Sequence, residues 1–419
     1  MRQIQTGNQA MVKTINKSIV LDLIIQNGPI SRADISKETG LNRATVSTMV
    51  AELIEDSFVF EIGEGKSSGG RKPVMLYFNE RAGFAVGIDL GVNYLLGVLT
   101  DLNGAVVQEI SVPLVGREEE RVVEALEGMM RKLIGRAPES PYGVVGIGVG
   151  VPGIVDREGK ILFAPNLGWR DVELKPRLER TFGVPVQIIN EANAGANGEC
   201  LYGAGKLAAD QVYISIGIGI GAGIIIDGQL YSGKTGIAGE VGHMTIQATG
   251  DRCRCGNYGC WELYASEKAL LGEVGEGESG SAESGVSDSA GDGAGGVPGE
   301  RAAAEEGDRL EEILARAQTG DPHVLAALDK IGASIGIGLI SIIHSFNPET
   351  VIIGNRLARF GEWLREPIQK VLDERLATHQ GETPEIQFSL LGRDSCAVGA
   401  AAFRITGFLE RLGGEGKVG

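Results

Sequence analysis

The chain has 419 residues, 43% hydrophobic and 22% charged, with 64 glycines and a net charge of −16. At roughly 150 residues per domain, this length implies two or three domains with sizeable cores. The acidic balance excludes a surface coated with basic charge for wrapping nucleic acid but leaves room for one small DNA-binding module, and the glycines follow no G-X-Y period, which excludes collagen.

The first twenty residues have no apolar run, so a secretory leader is not expected. The longest apolar stretches, 212–226 and 331–343, fall short of the roughly 18 residues a membrane span needs. The chain therefore reads as cytoplasmic, without a membrane partner. Of its five cysteines, Cys253, Cys255 and Cys260 are clustered, which points to metal chemistry in a reducing compartment and not to disulfides.

Ile15, Ile19, Leu23 and Ile24 recur at helical spacing and predict a helix over 12–27, stopped by Gly28-Pro29. Ser31 is an N-cap with Asp34 three residues on, opening a short helix to Thr39. Gly40 turns the chain, and Asn42 caps a third helix over 43–55 whose Val46, Met49, Val50 and Leu53 form an apolar face. Two β-like runs, FVFEIG and PVMLYFN, flank the glycine-rich basic loop EGKSSGGRK. A helix-turn-helix followed by such a wing predicts a winged DNA-binding domain over 1–80. The candidates for base and phosphate contacts are Asn42, Arg43, Thr45, Ser47 and Thr48 on the third helix, with Arg71 and Lys72 in the wing.

A boundary falls near Arg81-Ala82-Gly83, and the pattern becomes α/β. AVGIDLG and YLLGVLTDLNG predict a hairpin and VVQEISVPL a third strand. A helix over 118–135, strands in GVVGIGVGVPGIV and VPVQIIN, and a helix in NAGANGECLYG follow. VYISIGIGIGAGIIIDGQLY starts the same hairpin-first order again. Such duplication predicts two α/β lobes around a cleft, 81–190 and 191–392, with a C-terminal helix from 393–412 returning to the first. Residues 272–300 hold ten glycines and seven acidic residues but no Lys or Arg, and predict a disordered acidic insertion. Asp321-Pro322 opens a long helix to Asn347-Pro348. A strand at Val351–Gly354, a helix over 360–377, a strand over 385–391 and a last helix over 396–412 complete the reading.

One imidazole and three thiols, His243 with Cys253, Cys255 and Cys260, suit a closed tetrahedral Zn²⁺ site of structural role. Cys200 reads as a buried, unligated thiol. Gly239-Glu240-Val241-Gly242-His243 followed by C-x-C-G-x-x-G-C-W-Glu262 resembles the signature of the ROK family, which groups repressors, open reading frames and sugar kinases. The resemblance covers nearly the whole chain, 272–300 excepted. Within the family, NEANAGANGE (190–199) and the overall layout are most similar to the xylose repressors of Gram-positive bacteria.

The resemblance implies an actin/hexokinase-like two-lobed fold with a sugar in the cleft. It places Asn166, Asn190, Glu191, Glu240, His243 and Glu262 on the sugar hydroxyls. A polyol needs partners that both donate and accept, which Asn amides and carboxylates supply. Against the family's kinases three features depart. The first phosphate loop reads Asp89-Leu90-Gly91-Val92-Asn93, with Val and Asn in place of Gly and Thr. Glu191 stands where kinases carry a catalytic Asp, one methylene too long for that geometry. Gly354 is followed by Asn355 in place of a second Gly. The combination implies a kinase fold without catalysis: a repressor that binds operator DNA as a homodimer and is released by a sugar, D-xylose or a relative. The rival is an ATP-dependent sugar kinase with an accessory DNA-binding domain.

Overall fold

The computed structural model describes residues 9–64, 73–114, 116–279, 309–376 and 383–412. The chain opens with α1 (Gln9–Asn27), a short strand β1 (Ile30–Ser31), α2 (Arg32–Thr39) and α3 (Arg43–Glu55). The two later helices begin where their caps dictate. Ser31 Oγ accepts from Asp34 N, and Asn42 Oδ1 accepts from Thr45 N at 2.8 Å, each satisfying an amide with no partner inside its helix. Between them Gly40 sits at φ 70°, a left-handed turn that disfavours any side chain. Strands β2 (Val59–Glu64) and β3 (Val74–Phe78) complete a three-stranded sheet in the order β1-β3-β2. The tip of the wing, with Arg71 and Lys72, lies outside the described residues.

The first lobe follows: β4 (Phe84–Leu90), β5 (Tyr94–Asp101), β6 (Val106–Pro113), α4 (Glu119–Ile134) and β7 (Val144–Val151). Then come the short strands β8 (Ile154–Val155), β9 (Ile161–Ala164) and β10 (Trp169–Val172), α5 (Lys175–Phe182) and β11 (Val186–Asn190), after which α6 (Glu191–Tyr202) leads into the second lobe. The second lobe holds β12 (Gln211–Ile216), β13 (Ile220–Ile226), β14 (Gln229–Leu230), α7 (Glu262–Ala265), α8 (Glu267–Ser279) and α9, described over 309–318. It continues with α10 (Pro322–Phe346), β15 (Thr350–Gly354), α11 (Gly361–Arg375) and β16 (Glu385–Phe388), and the described residues close with α12 (Ser395–Leu412).

The two five-stranded sheets share one plan. Their orders are β6-β5-β4-β7-β11 and β14-β13-β12-β15-β16, the last two strands of each joining in parallel. Each hairpin strand is laid down before its crossovers, so the duplication read from the sequence is also a duplication of topology. The small sheet β10-β9-β8 lacks a strong alternation in its short strands and was not foreseen.

Helix α10 is long and apolar enough to cross a membrane. Here it is the central helix of the second core, with Val324, Leu328, Ile331, Ile335 and Leu339 buried. Residues 272–279 correct an expectation: they continue α8 and are not disordered. Val274 is buried, its carbonyl lies 3.1 Å from His323 Nε2, and Glu273 pairs with Lys330 at 2.7 Å. Residues 280–300 lie outside the described residues.

Helix α12 lies against β4, β7 and α6. The approach is close enough that a Cβ on Gly148 would stand 2.0 Å from Ala400 O, and one on Gly399 1.8 Å from Ala194 O. Its far end enters the winged-helix core, where Ala401 and Ile405 pack with Val20, Val46 and Phe58. Phe58 stacks on Tyr142 at 4.8 Å, Phe408 meets Tyr142 edge-on, and Tyr142 donates to Asp56 O at 2.9 Å. The winged helix thus shares its core with the first lobe.

Candidate functional site

Two glycines explain the geometry of the G-E-V-G-H stretch. A Cβ on Gly239 would stand 2.0 Å from Ala222 O, and one on Gly242 2.2 Å from Ile220 O. Without side chains there, the loop lies directly on β13, which fixes Glu240 and His243 close to the sheet end.

His243, Cys253, Cys255 and Cys260 come together as expected, with their ligand atoms all within 4.8 Å of one another. His243 Nδ1 lies 3.7 Å from Cys253 Sγ, and Cys255 Sγ 3.7 Å from Cys260 Sγ. A tetrahedron with metal–sulfur bonds of about 2.3 Å has edges of about 3.8 Å, so these four fit one tetrahedral ion. The segment around them has little regular structure beyond single bridges at Thr245–Cys260 and Arg252–Tyr258, so a metal here would do the work of a core. Because Nδ1 faces the thiols, Nε2 is the nitrogen left for other partners. Glu262 Oε1 lies 3.2 Å from Cys253 Sγ and 3.5 Å from His243 Nδ1, which sets this carboxylate at the edge of the cluster. Cys200 is apart from it, half-buried against Tyr213 and Ile225, and burial pushes its thiol up.

Of the remaining polar candidates, Glu191 lines one of two cavities among the described residues and the others line neither. Glu191 opens α6, and burial, with Asp89 and Glu240 as neighbouring carboxylates, raises it to about 8, while Arg356 opposes the rise. Glu240 is raised by burial and by Glu262, with His243 acting the other way. Desolvated carboxyls without hydrogen bonds are costly unless a ligand supplies partners. Asn166 sits half-buried in the β9–β10 turn. The expectation for Asn190 is narrowed: its Oδ1 caps α6 by accepting from Ala192 N and Asn193 N, and its Nδ2 donates to Gly153 O. One N–H is left for a sugar. A cavity of about 10 Å³ is lined by Asp89, Glu191, Ser215 and Asn355 among others. That is room for about one water.

Of the candidates for DNA contact, Arg43, Ser47 and Thr48 are exposed on α3. Asn42 is exposed but its oxygen caps the helix, Thr45 is half-buried, and Thr48 Oγ1 donates back to Ala44 O at 3.0 Å. Arg43 and Ser47 therefore keep the most free polar capacity. The sequence reading missed Tyr94 and Arg356. Tyr94 donates to Asp89 Oδ2 at 2.7 Å, and the Arg356 guanidinium lies 5.0 Å over the Tyr94 ring. The one available signal was an Arg directly after Gly354-Asn355.

A model of the ROK family matches residues 85–406, and one for winged helix-turn-helix DNA binding matches residues 16–59. The chain belongs to the ROK family. It is 41% identical over 406 residues to the xylose repressor of Bacillus subtilis (strain 168), covering 97% of this chain and 99% of that protein. It is 28% identical over 402 residues to the DNA-binding transcriptional dual regulator NagC of Escherichia coli (strain K12), covering 96% and 94%. Among solved structures, a ROK family transcriptional regulator, homologous to the E. coli MLC protein, matches with a TM-score of 0.76 at 29% identity, covering 96% of this chain and 98% of that one. A ROK family glucokinase from Streptomyces griseus, in complex with glucose and AMPPNP, matches with a TM-score of 0.65 at 28% identity, covering 77% and 99%.

Proposed function

We propose that the protein is a cytoplasmic, sugar-responsive transcriptional repressor of a carbohydrate-utilisation operon. It binds operator DNA as a homodimer, one winged helix per half-site, as two-fold symmetry requires. D-xylose in the cleft releases it. The observation that carries this reading is the continuity of α12. One helix touches α6, which begins at Glu191 in the cleft, and also supplies Ala401 and Ile405 to the winged-helix core. A sugar that moves α6 thereby moves the DNA-binding module, and ligand and operator must oppose each other reciprocally.

Asn166, Glu191, Glu240, Glu262 and the Nε2 of His243 hold the sugar hydroxyls, with one N–H from Asn190. Glu191 at neutral pH is largely protonated and both donates and accepts. His243, Cys253, Cys255 and Cys260 hold a structural Zn²⁺, which cross-links the loop bearing Glu240 and Glu262. On the DNA, Arg43 and Ser47 of α3 reach base edges or phosphates, helped by Asn42, Thr45 and Thr48 and, on the wing, by Arg71 and Lys72. Phosphoryl transfer is not the activity: Glu191 stands in place of the catalytic Asp, and the ring of Tyr94 covers Gly91 in the phosphate loop, where a Cβ would stand 2.2 Å from it.

The test is operator binding by fluorescence anisotropy during titration with D-xylose, D-glucose and a phosphorylated sugar. Release by D-xylose supports the reading. Operator affinity unchanged by every sugar refutes it, and ADP release with any sugar in the presence of ATP reinstates the kinase.

A further inference from the structure

Arg356 follows Asn355 at the end of β15, on the second lobe. Asn355 holds φ 64° and ψ −155°, a backbone region that is essentially glycine's own. Two hydrogen bonds keep it there: Oδ1 accepts from Arg356 N at 2.8 Å, and Nδ2 donates to Ser215 Oγ at 2.9 Å. The outcome of this strained turn is the direction of the next side chain. Arg356 reaches back across the cleft, where Nη2 donates to Asn93 Oδ1 at 2.8 Å and the guanidinium stacks over Tyr94. Asn93 lies in the β4–β5 turn of the first lobe, and Tyr94 opens β5. On its own lobe, Nη1 pairs at 3.0 Å with Glu267, whose carboxylate is 1% exposed. A planar fork with a stacking face can hold all three at once; an ammonium cannot.

The position matters. On one side lies the 10 Å³ cavity by Asp89 and Glu191. On the other lies an outer cleft of about 560 Å³, lined by Tyr94, Arg356, Arg359 and Arg393. Asn355 borders both. Arg393 borders both as well, while Arg356 and Tyr94 line the outer cleft beside the loop that resembles a phosphate loop.

We propose that Arg356, seated on Tyr94 and tied to Asn93 and Glu267, is a clasp between the lobes, standing where a nucleotide's phosphates would otherwise reach the sugar. It lets the cleft close on sugar without nucleotide, and its strength sets the sugar concentration at which the protein responds. This rests on the sugar-sensor reading above. Arg356 is a positioning residue: it acts on the lobe arrangement and not on the sugar.

The experiment is a double-mutant cycle in the full-length, zinc-loaded protein: wild type, Arg356→Met, Asn93→Ala and the pair, with Arg356→Lys beside them. D-xylose affinity is measured by calorimetry, with and without AMPPNP, and thermal unfolding without sugar. Each single change is expected to weaken sugar binding about fivefold or more, and the pair no more than the worse single change, since both remove one cross-lobe contact. Arg356→Lys keeps the Glu267 pair but loses the coupling to Asn93. AMPPNP changes nothing in the wild type. Additive effects would overturn the clasp, showing that Arg356 serves only its own lobe, and so would sugar binding that tightens with AMPPNP. Unfolding separates the two readings. Coupled melting shifts with no heat from any sugar uphold the link between lobes and sink the sensor; additive shifts sink the link whatever the sugar does.

Discussion

Replacing Glu191 by Gln probes the protonation of the cleft. Burial beside Asp89 and Glu240 raises this carboxyl from 4.5 to about 8, so at neutral pH it is mainly protonated in the folded protein and ionised in the unfolded chain. The folded state then binds the extra proton. Its contribution to stability is full below about pH 4.5 and is lost as pH rises through about 8. Each pH unit crossed costs up to about 1.4 kcal/mol, so the passage from pH 5 to pH 8 removes at most about 4 kcal/mol, and less where Asp89 shares the proton. Gln has the same shape and never ionises. Urea unfolding followed by tryptophan fluorescence should therefore show Glu191→Gln gaining on the wild type steadily from pH 5 to pH 8, by about 2–4 kcal/mol at the top. At pH 7 the variant should bind D-xylose within about threefold of the wild type, because a neutral carboxyl and an amide both donate and accept. A stability difference independent of pH, or a hundredfold loss of affinity at pH 7, would refute the argument.

Three further outcomes follow from the geometry. Gly399→Ala forces a methyl to within 1.8 Å of Ala194 O and should cost about 3 kcal/mol or more, read as a drop of several degrees in melting temperature; an unchanged melting point would contradict the α6–α12 contact. Cys260→Ser should abolish bound metal, measured by elemental analysis, and with it the sugar response; a variant that keeps one equivalent of metal would remove Cys260 from the ligand set. Arg43→Ala should weaken operator binding about tenfold and, if its partner is a phosphate, flatten the log–log salt dependence by about one; full operator affinity would take Arg43 off the DNA face.

Local signals were the most legible. Ser31 and Asn42 mark helix starts through bonds they make within three residues, Gly40 marks a helix end through its left-handed backbone, and the Cys-x-Cys spacing brings its ligands together through one short loop. Repetition was legible too, because each hairpin-first order of apolar runs builds one sheet. What the sequence hid is long-range or diluted. Val274 anchors α8 on the second core, yet the glycine-rich residues after it make the whole of 272–300 look too polar to fold. Arg356 and Asn93 are 263 positions apart, and no local pattern pairs them. Asn190 looked like a ligand because its type suits a sugar, whereas its place at the start of α6 makes it a cap first.

Helix α12 ties the winged helix to a segment far along the chain. Ala401 and Ile405 complete the core that Val20, Val46 and Phe58 begin. A chain interrupted before residue 395 carries the whole recognition helix but lacks the helix that closes its core and joins it to the cleft. Such a fragment would not hold an operator in a form that no sugar can release.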